Sequence, residues 1–181
     1  MNVKPRKSTS TPTKEIVGKL TREVAAGTPQ TAHQSSERPL RLLLIDDHAP
    51  LAEATAAWLR EMGMEVRIAG SGNEALQATA VFRPEIVLCD MRLPDISGLD
   101  VARLLKAKRE SANVFFVMHT AFADTDIPKF EHAAGPRDVQ LCLSKPITEE
   151  KLDRLLREFA SHSRLTGQRE RTSKHMIELK E

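Results

Sequence analysis

The sequence predicts an α/β protein built on a doubly wound, five-stranded parallel sheet with helices on both faces. Three observations carry this. Short apolar runs, Leu42–Ile45, Ile86–Cys89, Val114–Met118 and Val139–Leu143, alternate with longer stretches of helical periodicity. A run such as Ile86–Cys89 is apolar at successive positions, as in strands covered on both faces, and sheets of that kind are parallel. Chemistry-bearing residues also stand at the carboxyl ends of the runs, where open α/β sheets gather their functional groups.

Taken in order, residues 1–39 are rich in Ser, Thr, Pro, Gln and Lys and read as a flexible tail or linker. Ile16 to Ala26 could form a short helix, but few of its apolar residues share a face. Pro39 closes this segment, and a domain is drawn over residues 40–160. The first strand is Arg41–Ile45. After Asp46-Asp47-His48 a helix is expected from about Pro50 to Met62. Pro50 suits the first turn, and Leu51, Thr55, Trp58, Leu59 and Met62 recur at three and four to mark a buried face. Gly63 ends it. Met64–Ile68 alternates apolar with polar, as a strand at the sheet edge does.

Ser71 with Glu74 forms a capping box that opens a helix through about Phe82, and Arg83-Pro84 stops it. The strand Ile86–Cys89 then delivers Asp90 to a loop punctuated by Pro94 and Gly98. Ser97 and Asp100 repeat the cap. They open a helix with Leu99, Ala102 and Leu105 inward and Leu104 as a further candidate. Asn113 leads into Val114–Met118, which ends in His119-Thr120-Ala121. Asp124 to Ala134 is the weakest helix, with Ile127 and Phe130 its only large apolar residues. Val139–Leu143 ends in Ser144-Lys145-Pro146. Thr148-Glu149-Glu150 opens the last helix with acid at its positive dipole end, and Leu152, Leu155, Leu156 and Phe159 face the core. Residues 161–181 form a basic, polar tail.

Charge is unevenly placed. Residues 1–38 carry net +4, residues 161–181 net +2, and the middle net −4. Neither tail has the dense basic run of a nucleic-acid arm, so DNA binding is not expected of this chain. Cys89 and Cys142 lie inside predicted strands and read as small buried hydrophobes in a reducing compartment. No stretch approaches the roughly 20 apolar residues of a membrane span. An apolar signal core is missing from the N-terminus, which points to the cytoplasm.

The strand ends bring together Asp46, Asp47, Asp90, Thr120 and Lys145. Crowded carboxylates repel and raise one another's pKa, which a divalent cation relieves, and oxygen ligands of this number suit Mg²⁺. Lys145 offers a positive charge for an anion and Thr120 a hydroxyl. The set suits a phosphoryl group carried on a carboxylate. Each feature alone has a plainer explanation: Asp46 or Asp47 as a helix N-cap, Asp90 as turn chemistry, Lys145-Pro146 as an ordinary strand exit. Their arrival at one sheet edge favours the functional reading.

In these residues the chain resembles the receiver domain of bacterial two-component response regulators. The resemblance rests on the acidic pair Asp46-Asp47, Asp90 in D-x-x-x-P-x-x-x-G spacing, Thr120 before small Ala121, and Lys145-Pro146, and it covers roughly Leu40 to Ala160. It implies the flavodoxin-like (CheY-like) strand order 2-1-3-4-5 and a phosphorylation switch acting through protein–protein contacts. Asp90 is then the phosphoacceptor. Asp46, Asp47, Asp90 and the backbone carbonyl of Arg92 hold Mg²⁺, Lys145 and Thr120 take phosphate oxygens with Ala121 beside them, and Pro146 follows a cis bond. The donor is a phosphohistidine on a separate sensor histidine kinase or phosphotransfer protein. Alternatives are the receiver module of a hybrid histidine kinase, a phosphate sink, and an aspartate-nucleophile phosphatase. The last characteristically has D-x-D at its first strand end, where this chain has Asp46-Asp47-His48.

The resemblance breaks at Cys142, where receivers usually carry Tyr or Phe. The span from Gly135 to Lys145 is also about three residues longer than usual, adding Pro136, Arg137 and Asp138. A thiol cannot act as the inward-turning ring of the family, so the switch is expected to work through movement of the helix over 124–134.

Overall fold

The structure, a computed structural model, describes residues 38–121 and 137–178, and of residues 167–178 it describes the helical backbone alone. The short helix considered over Ile16–Ala26 and the helix expected over Asp124–Ala134 lie outside the described residues. The strands are β1 (Arg41–Ile45), β2 (Glu65–Ala69), β3 (Ile86–Asp90), β4 (Phe115–Thr120) and β5 (Leu141–Ser144). The described helices are α1 (Ala49–Glu61), α2 (Gly72–Phe82), α3 (Gly98–Lys106) and α4 (Glu149–Glu178). The strands form one sheet in the order β2-β1-β3-β4-β5, every neighbouring pair parallel. β2 lies at one edge, as its alternating pattern predicts, with Val66 and Ala69 buried and Glu65 and Arg67 exposed.

Successive residues of a strand point to opposite faces, so each apolar run feeds two cores. On one face Leu42, Leu44, Ile86, Leu88, Phe115, Val117, Leu141 and Leu143 meet α1 and α4. On the other Leu43, Ile45, Val87, Cys89, Phe116, Met118 and Cys142 meet α2 and α3. Both cysteines are buried thiols outside any disulfide, as expected. Leu152, Leu155, Leu156 and Phe159 of α4 are buried as the periodicity predicts, and Phe159 stands edge-on to Phe115 at a centroid distance of 5.8 Å.

Two helix faces differ from expectation. The buried seam of α1 is Ala52, Ala56 and Leu59, with Trp58 and Met62 packed at its margin and Leu51 and Thr55 half-exposed. Small residues lead because a helix lying close on a sheet buries its shortest side chains deepest. In α3 the inward residues are Val101, Ala102 and Leu105, while Leu104 is 44% exposed. The helix ends follow the sequence more closely. Gly63, at φ 93°, terminates α1, and Arg83 takes a left-handed conformation, φ 50°, before Pro84. The last helix continues past Ala160 to Glu178, so the domain limit drawn at residue 160 falls within a helix.

The register places the strand ends in rows. Asp90 is paired with His119, His119 with Leu143, and Thr120 with Ser144. The backbone amide of Lys145 donates to the carbonyl of Thr120 at 2.7 Å, which closes the β4–β5 end of the row.

Candidate functional site

The carboxyl edge of the sheet collects the charged groups. Asp46 follows β1 and is 3% exposed, Asp90 ends β3 half-buried, and Asp47 is exposed beside them. Asp46, Asp47 and Asp90 each present an oxygen, all within 4.8 Å of one another. Neither acid of the pair is the N-cap of α1. That place belongs to His48, whose Nδ1 accepts from the Leu51 amide at 3.2 Å. Asp46 keeps a local bond as well, accepting from the His48 amide through Oδ1 at 3.0 Å. Its Oδ2 faces the pocket.

Lys145 enters from the end of β5. Its Nζ donates to Asp46 Oδ2 at 2.7 Å and to Asp90 Oδ2 at 2.8 Å. Burial pushes its pKa down, but the bonds and charges of the two carboxylates outweigh this and leave it above the ordinary lysine value. The ammonium therefore stays charged. Three carboxylates and one ammonium leave the pocket negative, and hard oxygen donors at this spacing fit a divalent cation of the Mg²⁺ kind. The peptide between Lys145 and Pro146 is cis. Thr120 is 3% exposed at the end of β4, and Ala121 is exposed next to it.

Residues 42–157 match the response regulator receiver domain family. The chain belongs to the response regulator receiver family. The DNA-binding response regulator MtrA of Mycobacterium tuberculosis H37Rv is 42% identical over 85 residues, which are 47% of this chain and 36% of that protein. The regulatory protein LuxO of Vibrio vulnificus YJ016 is 28% identical over 109 residues, 60% of this chain and 23% of LuxO. The match to these curated relatives thus spans about a third of their length or less. Among solved structures, a CheY-like receiver domain protein from Methanospirillum hungatei JF-1 superposes with a TM-score of 0.59 at 23% identity, covering 71% of this chain and 98% of that one. The chemotaxis response regulator CheY4 of Vibrio cholerae gives 0.58 at 21%, covering 67% and 98%. At these identities the likeness speaks for the fold.

In this receiver the loop after Asp90 is closed tightly. The Gly98 amide donates to the Met91 carbonyl at 2.8 Å. A Cβ on Gly98 would stand 2.2 Å from the Asp90 carbonyl oxygen, so only glycine fits. The Arg92 backbone turns back over Asp90, its amide 3.4 Å from Asp90 Oδ1. The Cys89 thiol donates to the Asp90 carbonyl at 3.0 Å, and burial, then the Asp90 charge, hold it well above the ordinary thiol pKa. It is inert.

Of the residues read from the sequence, Asp46, Asp47, Asp90 and Lys145 converge, and Thr120 ends the neighbouring strand. Cys142 is not at the site. It is buried in β5 on the face of α2 and α3, in register with Met118. Sequence reasoning missed two residues. Asp95 accepts three backbone amides, from Gly72 at 2.9 Å, Asn73 at 2.8 Å and Ile96 at 2.8 Å. The Asn73 bond, with help from Gly72 and Ile96, holds its carboxyl below the usual range. A carboxylate bridging elements 22 and 23 residues apart leaves no periodic trace. His119 is 2% exposed, and neither ring nitrogen has a partner. A histidine closing an otherwise apolar strand was its only signal.

Proposed function

We propose that the chain is a phosphorylation-dependent signalling switch in which Asp90 accepts a phosphoryl group from a phosphohistidine on a sensor histidine kinase or phosphotransfer protein. The observation that carries this is the Lys145 ammonium held between Asp46 and Asp90 at 2.7 and 2.8 Å, beside three clustered carboxylates. Asp46, Asp47 and Asp90, with the Arg92 carbonyl, would hold Mg²⁺, which neutralises charge as the phosphoryl group transfers. Asp90, half-buried, offers a carboxylate oxygen as nucleophile. Lys145, already charged and aimed at Asp90, pairs with a phosphate oxygen once the acceptor is modified. Thr120 donates its hydroxyl to another, with small Ala121 leaving room. The chain itself does no turnover beyond gaining and losing that group, and its output passes through contacts with a downstream protein.

An Asp90→Asn variant tests the assignment. The amide is nearly isosteric and a poor nucleophile, so incorporation of phosphate from a small acyl phosphate donor should vanish while the circular dichroism spectrum is kept. Incorporation at the wild-type level would remove Asp90 from the role.

A further inference from the structure

We infer that Asp95 is a positioning residue for the acceptor loop: its carboxylate fastens residues 91–97 to the N-terminus of α2, and this sets how tightly the acidic pocket holds a divalent cation. The inference rests on the reading above and names a residue that reading does not use.

The start of α2 carries donors that its own helix cannot pair. A helix leaves its first amides without intrahelical acceptors. Here Gly72, Asn73 and Glu74 each have an acceptor outside the helical ladder. Ser71, the N-cap, takes the Glu74 amide on its hydroxyl at 3.2 Å and the Ala75 amide on its carbonyl at 3.0 Å. The Gly72 and Asn73 amides have no acceptor on their own element. Asp95 supplies both, one through each carboxylate oxygen. A carboxylate is favoured there by the helix dipole as well as by the bonds. Packing reinforces the tie. A Cβ on Gly72 would lie 2.4 Å from Ile96 Cγ1, so the loop presses directly on the helix where its carboxylate grips it.

The consequence for the pocket follows from where its ligands sit. Asp90 ends a strand and Asp46 directly follows one, so the sheet fixes both, and Asp47 adjoins Asp46 before α1. Arg92, the remaining ligand under this reading, lies in the loop alone. At its base the loop is held by Gly98 against Met91 and Asp90. Beyond that base, Leu93 and Ile96 pack against the apolar cluster of α2 and α3, and Asp95 adds the hydrogen bonds that fasten the loop to the start of α2. Releasing Asp95 loosens the stretch that carries the Arg92 carbonyl while leaving the three carboxylates in place.

The test compares Asp95→Ala, Asp95→Asn and Ser71→Ala in the full chain. Ser71→Ala weakens the cap of the same helix without touching the loop. Calorimetric titration with Mg²⁺ alone should show Asp95→Ala binding about 10-fold more weakly, the low end of what loss of an outer-shell partner costs. The Mg²⁺ concentration for half-maximal phosphorylation by acetyl phosphate should rise by the same factor, while the rate at saturating Mg²⁺ stays within about two-fold of wild type. Asp95→Asn keeps one oxygen acceptor and should fall between. In the metal-free protein, hydrogen exchange across residues 92–97 should quicken in Asp95→Ala. Wild-type Mg²⁺ affinity in Asp95→Ala, or an equal loss in Ser71→Ala, would overturn the inference. If the wild type neither binds Mg²⁺ nor accepts phosphate, the functional reading fails instead. The exchange measurement then decides the clamp alone, and unchanged exchange over residues 92–97 would overturn it.

Discussion

Replacing His119 by leucine should stabilise the protein and remove part of its sensitivity to acid. The side chain is 2% exposed, and both ring nitrogens lack partners. A neutral imidazole so placed forfeits the hydration of a donor and an acceptor, whereas leucine forfeits neither, and the gain should be about 1–3 kcal/mol at neutral pH. The acid term adds to this. Burial first, then the charge of Lys145, lower the imidazole pKa from 6.5 to about 4. Between those values the unfolded chain holds a proton that the folded chain does not, so stability is intact above the upper value and is lost as pH falls through the window. The linkage relation gives a loss of about 2 kcal/mol at roughly pH 5 and almost none at about pH 7.5. Urea denaturation of both proteins at the two pH values, in chelator, measures it. Carboxylates and His162 titrate in both proteins and cancel in the difference. The stability gap should therefore widen by about 2 kcal/mol on acidification. An unchanged gap, or a variant less stable at both pH values, would refute the argument and mean that His119 has a partner in the fold.

Two further outcomes are expected. Millimolar Mg²⁺ should raise the melting temperature of the wild type by mass action on the native state, and Asp47→Ala should shrink that rise; differential scanning fluorimetry with and without Mg²⁺ reads both, and a melting point indifferent to the metal would count against the pocket. Gly98→Ala places a methyl 2.2 Å from the Asp90 carbonyl oxygen, where backbone must yield, so a loss of about 3 kcal/mol is expected in denaturant titration; a loss under about 1 kcal/mol would mean the loop relaxes freely.

How far the fold could be read in advance depended on the kind of signal. Strands buried on both faces are apolar without interruption, and Ile86–Cys89 could hardly be read otherwise. Helix starts were legible because Ser71 and Ser97 are local devices that act within three residues. Helix faces were less so. Leu51 and Ala52, or Leu104 and Leu105, differ by one position, and periodicity alone favours the larger side chain where close packing on the sheet favours the smaller or the neighbouring one. The end of α4 carried no mark, since Arg164 to Glu181 has neither a proline nor an apolar stripe to stop or anchor a helix. The acidic pocket was legible from strand ends. The Asp95 tie was not, because capping across elements depends on which elements the fold brings together.

The parallel register has a consequence for how such a chain can change in length. Asp90, His119 and Leu143 share one row, and Cys89, Met118 and Cys142 share the row below. Adding or deleting one residue within β4 would exchange its faces, sending Phe116 and Met118 toward α1 and α4 and turning His119 over. The strands can therefore vary in composition but not in count. Connections at the opposite edge carry no such restriction, because a loop absorbs extra chain before the pairing begins. Arg137 and Asp138 lie in such a connection: they precede β5, whose Leu141 pairs with Val117. Length can be gained at the amino edge of the sheet while the pairing that aligns the carboxyl edge is kept.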